Sequence, residues 1–141
     1  MLRHTQQQAI RLYREIKPII GREAVIIALE GPLGAGKTIF TKAFARAMGI
    51  KDPILSPTFT LHSEYGQLDH IDLWRIDDPQ ELLALGLEKM VQDKKVIIIE
   101  WAEKARDQVL RLSPQTTIIW IKFEYGEKEN ERRISYESSR Y

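Results

Sequence analysis

Ala24-Val25-Ile26-Ile27-Ala28-Leu29-Glu30-Gly31-Pro32-Leu33-Gly34-Ala35-Gly36-Lys37-Thr38 reads as a strand, a glycine-rich loop and the first turn of a helix. Residues 24–29 are an unbroken apolar run, as expected of a strand buried on both faces. Gly31 to Thr38 match G-x-x-x-x-G-K-[ST], a pattern that acquires meaning between such a strand and a helix. Phe40, Ala43, Phe44, Ala47 and Met48 supply the helix by sharing one face, and Gly49 ends it. The residue types follow from the chemistry of holding phosphate. Glycines let the backbone curl until successive N–H groups, here those of Gly34, Ala35, Gly36, Lys37, Thr38 and Ile39, face one point. The positive end of the helix adds to the attraction. Lys37 can reach the β- and γ-phosphates of a nucleoside triphosphate, and the Thr38 hydroxyl can ligate Mg²⁺. Pro32 has no N–H to give, but it stands before the donors that matter.

Hydrolysis asks for more than a phosphate loop: a metal anchor, a positioned water and charge stabilisation. Val96-Ile97-Ile98-Ile99 is a second buried strand, and Glu100 at its end stands where a Walker B carboxylate belongs. It would hold Mg²⁺ through water or orient the attacking water, and both roles stay open. Residues 59–65 and 68–74 are predicted strands joined by a turn at Gly66-Gln67. Alternation there puts Ile71 and Leu73 on one face and His70, Asp72 and Trp74 on the other. Asp72 is then a candidate for the outer shell of Mg²⁺, and His70 a hydrogen-bonding residue rather than a catalyst. Ser56-Pro57-Thr58 forms a Pro-bounded loop about 20 residues beyond Lys37, where a switch loop would close over γ-phosphate. Trp101 packs either on nucleotide or in the core.

The remaining segments fit an α/β domain. Thr5-Gln6-Gln7-Gln8 has the form of a capping box, followed by Ala9, Leu12, Tyr13, Ile16, Ile19 and Ile20 at helical spacing. Pro79 opens a helical stretch through Leu82, Leu83 and Leu85, and residues 116–124 and 132–137 alternate as strands around the charged segment 125–131. The expected architecture is a single three-layer, P-loop NTPase-like domain over residues 1–141, with a central, partly parallel mixed sheet flanked by helices. Composition agrees. The 141 residues carry 21 basic and 20 acidic side chains and no cysteine, so disulfides, thiolate metal sites and a cysteine nucleophile are excluded. No apolar run approaches the roughly 20 residues that span a bilayer, and no signal-peptide core follows Met1, so a cytoplasmic protein is expected. A net charge of +1 argues against a chain that is mainly a DNA or RNA binder. That sum conceals a basic block, residues 1–22 at +4, and an acidic one, residues 64–93 at −6.

Taken together, Gly34-Ala35-Gly36-Lys37-Thr38, Ser56-Pro57-Thr58-Phe59-Thr60-Leu61 with Glu64-Tyr65, His70-Ile71-Asp72-Leu73-Trp74-Arg75 and Glu100-Trp101 resemble the TsaE (YjeE) family over nearly the whole chain. The resemblance implies a weak ATPase that serves the threonylcarbamoyl modification of adenosine in tRNA. It would work with the two transferase subunits, TsaD and TsaB, resetting them between rounds, and would meet tRNA indirectly. It implies ATP/ADP and Mg²⁺ as ligands, with Lys37 on phosphate and Thr38 and Glu100 at the metal. Asp72 would be a further acidic residue needed for hydrolysis, Thr58 part of the switch loop from Ser56 to Thr60, and Trp101 a pocket residue. Arg132 is the candidate for an arginine of the final hairpin that approaches nucleotide. Pro32 replaces the family's usual Asp and Trp74 its usual Tyr, and the family's opening strand, which carries a contact to the base, is mostly missing. Two other functions compete. A small-molecule kinase would need an arginine-bearing lid, yet Arg46 and Arg75 are the only arginines between Lys37 and Glu100. A nucleotide-gated binding module would need no turnover.

Overall fold

The computed structural model describes residues 2–32, 34–54, 61–112, 116–125 and 132–139. Its strands are β1 (Val25–Glu30), β2 (His62–Tyr65), β3 (Leu68–Asp72), β4 (Val96–Glu100), β5 (Thr117–Tyr125) and β6 (Arg132–Ser139). They form one six-stranded sheet in the order β2-β3-β4-β1-β5-β6. β3, β4, β1 and β5 run parallel, while β2 and β6 pair antiparallel at the two edges. The mixed sheet therefore has the partly parallel character expected of it.

Helices cover both faces. On one side, α1 (Leu2–Ile16) and α2 (Lys37–Ala47) bury Ala9, Leu12, Ile16, Phe40 and Phe44 against Val25, Ile27, Leu29 and Ile98. On the other, the short helices α3 (Glu81–Ala84), α4 (Leu87–Gln92) and α5 (Arg106–Leu110) bring Leu82, Leu87, Met90 and Val109 against Ile26, Ala28, Ile97 and Ile99. Successive residues of β1 and β4 thus enter different cores, which is why both strands read as unbroken apolar runs. Each Ile or Leu so buried contributes roughly 1.5–3 kcal/mol. Edge-to-face rings lock the first layer: Tyr13 meets Phe44 at 5.9 Å, and Phe40 meets Phe123 at 5.9 Å.

Two local expectations are corrected. Thr5 does not cap the first helix, which already begins at Leu2. Its side chain is instead buried, 3.4 Å from where a Cβ on Gly36 would stand, so packing of α1 on the loop outweighs the capping pattern. The strand expected over 68–74 stops at Asp72, because the Asp72 carboxylate accepts the Trp74 N–H at 2.9 Å and turns the chain. Trp74 is therefore beyond the strand, and 47% exposed.

Candidate nucleotide-binding site

Register places the chemistry. Glu100 pairs with Leu29 on one side and Asp72 on the other, so both carboxylates stand at the C-terminal edge of the parallel strands. The loop that leaves β1 there enters α2 through Gly36, whose φ of 106° is one that L side chains rarely adopt. Gly31 has a second constraint: a Cβ would lie 2.6 Å from the Phe123 carbonyl oxygen. Gly34, Ala35, Gly36, Lys37, Thr38 and Ile39 follow as one continuous turn of loop and helix, the arrangement their pattern requires.

Lys37 is folded back. Its ammonium donates to the carbonyl oxygens of Gly31 and Pro32 and lies 3.8 Å from the centre of the Trp101 ring. Burial lowers its pKa from the ordinary value, against the opposing pull of Glu103, Glu100 and Asp72. Trp101 reaches this place through a left-handed backbone, φ 60°, and its ring is 4.5 Å from that of Trp74. Such a φ is uncommon for a bulky residue, and here it ends the strand abruptly so that the indole covers the lysine.

Glu100 is 2% exposed and surrounded by donors. Thr38 donates its hydroxyl to Oε1 at 2.9 Å. His70 donates Nε2–H to Oε2 at 2.5 Å, and the Thr41 hydroxyl shares its proton between that oxygen, 3.3 Å, and the Lys37 carbonyl, 3.0 Å. With Nε2 donating, His70 Nδ1 is an acceptor, and it has no hydrogen-bond partner among the described residues. Asp72 is half-buried; burial raises its pKa, the Trp74 N–H lowers it and Glu100 raises it further. Thr41 and Glu103 were missed by the sequence reading. Thr41 had a signal, standing one turn beyond Thr38 on the same helix face. Thr58, with the whole expected switch loop Ser56 to Thr60, lies outside the described residues. Arg132 opens β6 opposite Tyr125.

Mg²⁺ fits the donor set. The Thr38 hydroxyl and Glu100 carboxylate are hard oxygen ligands in contact with one another beside the loop. Among the described residues no group of three or more His, Asp or Glu could hold a metal unaided, so phosphate oxygens would have to complete its coordination. No helix among the described residues is long and apolar enough to cross a membrane.

A mixed sheet with a parallel centre, a glycine loop feeding a helix and a buried carboxylate on the adjacent strand define a P-loop NTPase-like protein. Within that class, a model of the family described as "Threonylcarbamoyl adenosine biosynthesis protein TsaE" matches residues 3–134, and the chain belongs to the TsaE family. Similar curated proteins named tRNA threonylcarbamoyladenosine biosynthesis protein TsaE include that of Bacillus subtilis, 37% identical over 82% of this chain and 72% of its own length. That of Aquifex aeolicus is 37% identical over 71% of this chain and 74% of its own, and that of Nostoc 44% over 56% and 53%. The crystal structure of Bacillus subtilis YdiB superposes with a TM-score of 0.70 at 27% identity, covering 99% of this chain and 80% of that one.

Proposed function

We propose that the chain is a Mg²⁺-dependent ATPase of low intrinsic rate that supports the threonylcarbamoyl modification of adenosine in tRNA, acting on the TsaD–TsaB transferase pair. One contact carries the proposal: Glu100, reaching from β4, accepts the hydroxyl of Thr38, the residue after the phosphate-binding lysine. That contact joins the strand-end carboxylate to the loop, as a triphosphate–metal site requires. Family membership supplies the pathway.

In this reading Lys37 exchanges the Gly31 and Pro32 carbonyls for phosphate oxygens when ATP enters. Thr38 and Glu100 would hold Mg²⁺, which when bound would supply charge that neutralises the phosphates. His70 keeps Glu100 oriented. Asp72 lies across the ladder from Glu100 and is raised in pKa by burial, so it is the group placed to orient water and receive its proton as ADP and phosphate form. The transferase pair is expected to raise ATP turnover at least severalfold in a phosphate-release assay, while Lys37→Ala abolishes tight ATP binding. Equal rates with and without the pair would refute partner-dependent hydrolysis.

A further inference from the structure

Glu103 belongs to none of the motifs above, yet it reaches the phosphate loop from the single helical turn Ala102–Ala105 that follows Trp101. Its Oε2 accepts the Gly31 N–H at 3.2 Å. The carbonyl of the same Gly31 accepts the Lys37 ammonium, so one glycine is gripped by a carboxylate on its N–H and a lysine on its oxygen. No side chain fits at that glycine, since a Cβ there would lie 2.6 Å from the Phe123 carbonyl oxygen. The second carboxylate oxygen, Oε1, is buried with no hydrogen-bond partner among the described residues.

From this arrangement we infer that Glu103 is a positioning residue: across the Gly31 peptide it is the counter-charge that holds Lys37 in its retracted place and weakens the loop's grip on a nucleoside polyphosphate. The inference rests on the nucleotide-binding reading above. Of the carboxylates around Lys37, Glu103 is the one that also grips the Gly31 peptide to which the lysine donates. A polyphosphate entering the loop must draw Lys37 away from this charge, and it is itself repelled by it. Glu30 adds a second negative charge close to Glu103. Removing the charge while keeping the acceptor should therefore tighten binding. A carboxylate that only braced the loop would have the opposite signature, because its loss would loosen binding.

The test is calorimetric titration of the full chain with ADP in the presence of Mg²⁺, for the parent, Glu103→Gln and Glu103→Asp. Gln retains an oxygen for the Gly31 N–H and loses the charge; Asp retains the charge on a shorter stem. Glu103→Gln is expected to bind ADP about five- to tenfold more tightly, a modest effect because the charge acts through a half-buried region. Its KM for ATP should fall without a matching rise in kcat, and Glu103→Asp should show no gain. Affinity equal to or below the parent in Glu103→Gln overturns the inference, and so does an equal gain in Glu103→Asp. A parent chain that binds no ADP overturns the nucleotide reading itself, and this inference with it.

Discussion

Two neighbouring residues of β3 enter two histidine–carboxylate pairs of almost equal length. His70 lies 2.5 Å from Glu100 on the α2 side of the sheet, and Asp69 lies 2.6 Å from His62 on the other. Both carboxylates are buried, at 2% and 0% exposure. Their remaining partners differ. Glu100 is completed by hydroxyls of Thr38 and Thr41, neutral donors that a ligand can displace at little cost. Asp69 faces Lys95 at 3.0 Å, and the same ammonium is 3.0 Å from Glu64 on β2. Burial lowers the Lys95 pKa, but the Asp69 and Glu64 carboxylates outweigh it and leave the lysine above its ordinary value. A buried carboxylate paired with a fixed cation is a clasp, here binding the β2–β3 hairpin to β4. A buried carboxylate paired with neutral donors is an exchangeable site. The cation, not the histidine, tells them apart.

The largest effect that could break this contrast belongs to Asp69. Asp69→Ala leaves Lys95 buried beside one exposed glutamate, and breaking such a pair costs about 3–5 kcal/mol. Denaturant unfolding should show that loss, while nucleotide affinity per folded molecule stays near the parent's. An unchanged unfolding midpoint would show that the clasp carries no stability. Glu100→Gln should behave in the reverse sense. Its amide oxygen still accepts from Thr38, and its amide N–H can donate to His70 Nε2 once the neutral ring takes its other tautomer, so the melting temperature and ADP affinity should stay near the parent's, while partner-stimulated turnover falls about 100-fold or more. A variant that loses stability and turnover together would place Glu100 with Asp69, as structure first.

The sequence exposed one of these two clusters much better than the other. Gly31 to Thr38, the helix behind them and Glu100 at the end of an apolar strand are legible because each depends on local order along the chain. His70 and Asp72 were legible in part, through alternation on one strand. The clasp was not, because Asp69, Lys95 and Glu64 meet only through the register of β2 on β3 and of β3 on β4, which no single segment encodes. Glu103 was hidden for a related reason: it is positioned by the left-handed turn at Trp101, and a bulky indole gives no warning of a positive φ. Thr5 misled in the other direction. Its spacing to Gln8 is that of a cap, but the helix begins at Leu2 and Thr5 sits within it, packed beside Gly36. The order of the six strands likewise rests on pairings between distant segments, so the sheet's class was readable and its sequence of strands was not.

Asp72 offers the smallest and most discriminating effect, because it has neither Asp69's cation nor Glu100's ring of donors. Burial is the main cause holding its pKa up, with the Trp74 N–H opposing and the neighbouring Glu100 charge reinforcing. An acid whose pKa is higher in the folded state binds its proton more tightly there. It therefore favours folding at low pH, and that contribution is lost as pH rises through the folded value. At neutral pH the ionised carboxylate weighs against the fold, and Asp72→Asn should relieve it. The group is partly exposed, so solvent screening keeps the gain small, about 2 °C in Tm at pH 7. The difference from the parent should shrink on acidification and vanish below about pH 4, the ordinary pKa of an aspartate, where the carboxyl is neutral in the folded and unfolded chain alike. Turnover should fall in the same variant, as expected of a carboxylate kept at a functional site at some expense in stability. A melting temperature below the parent's at pH 7, or a difference that grows on acidification, would show that Asp72 is held by compensating contacts and belongs with Asp69.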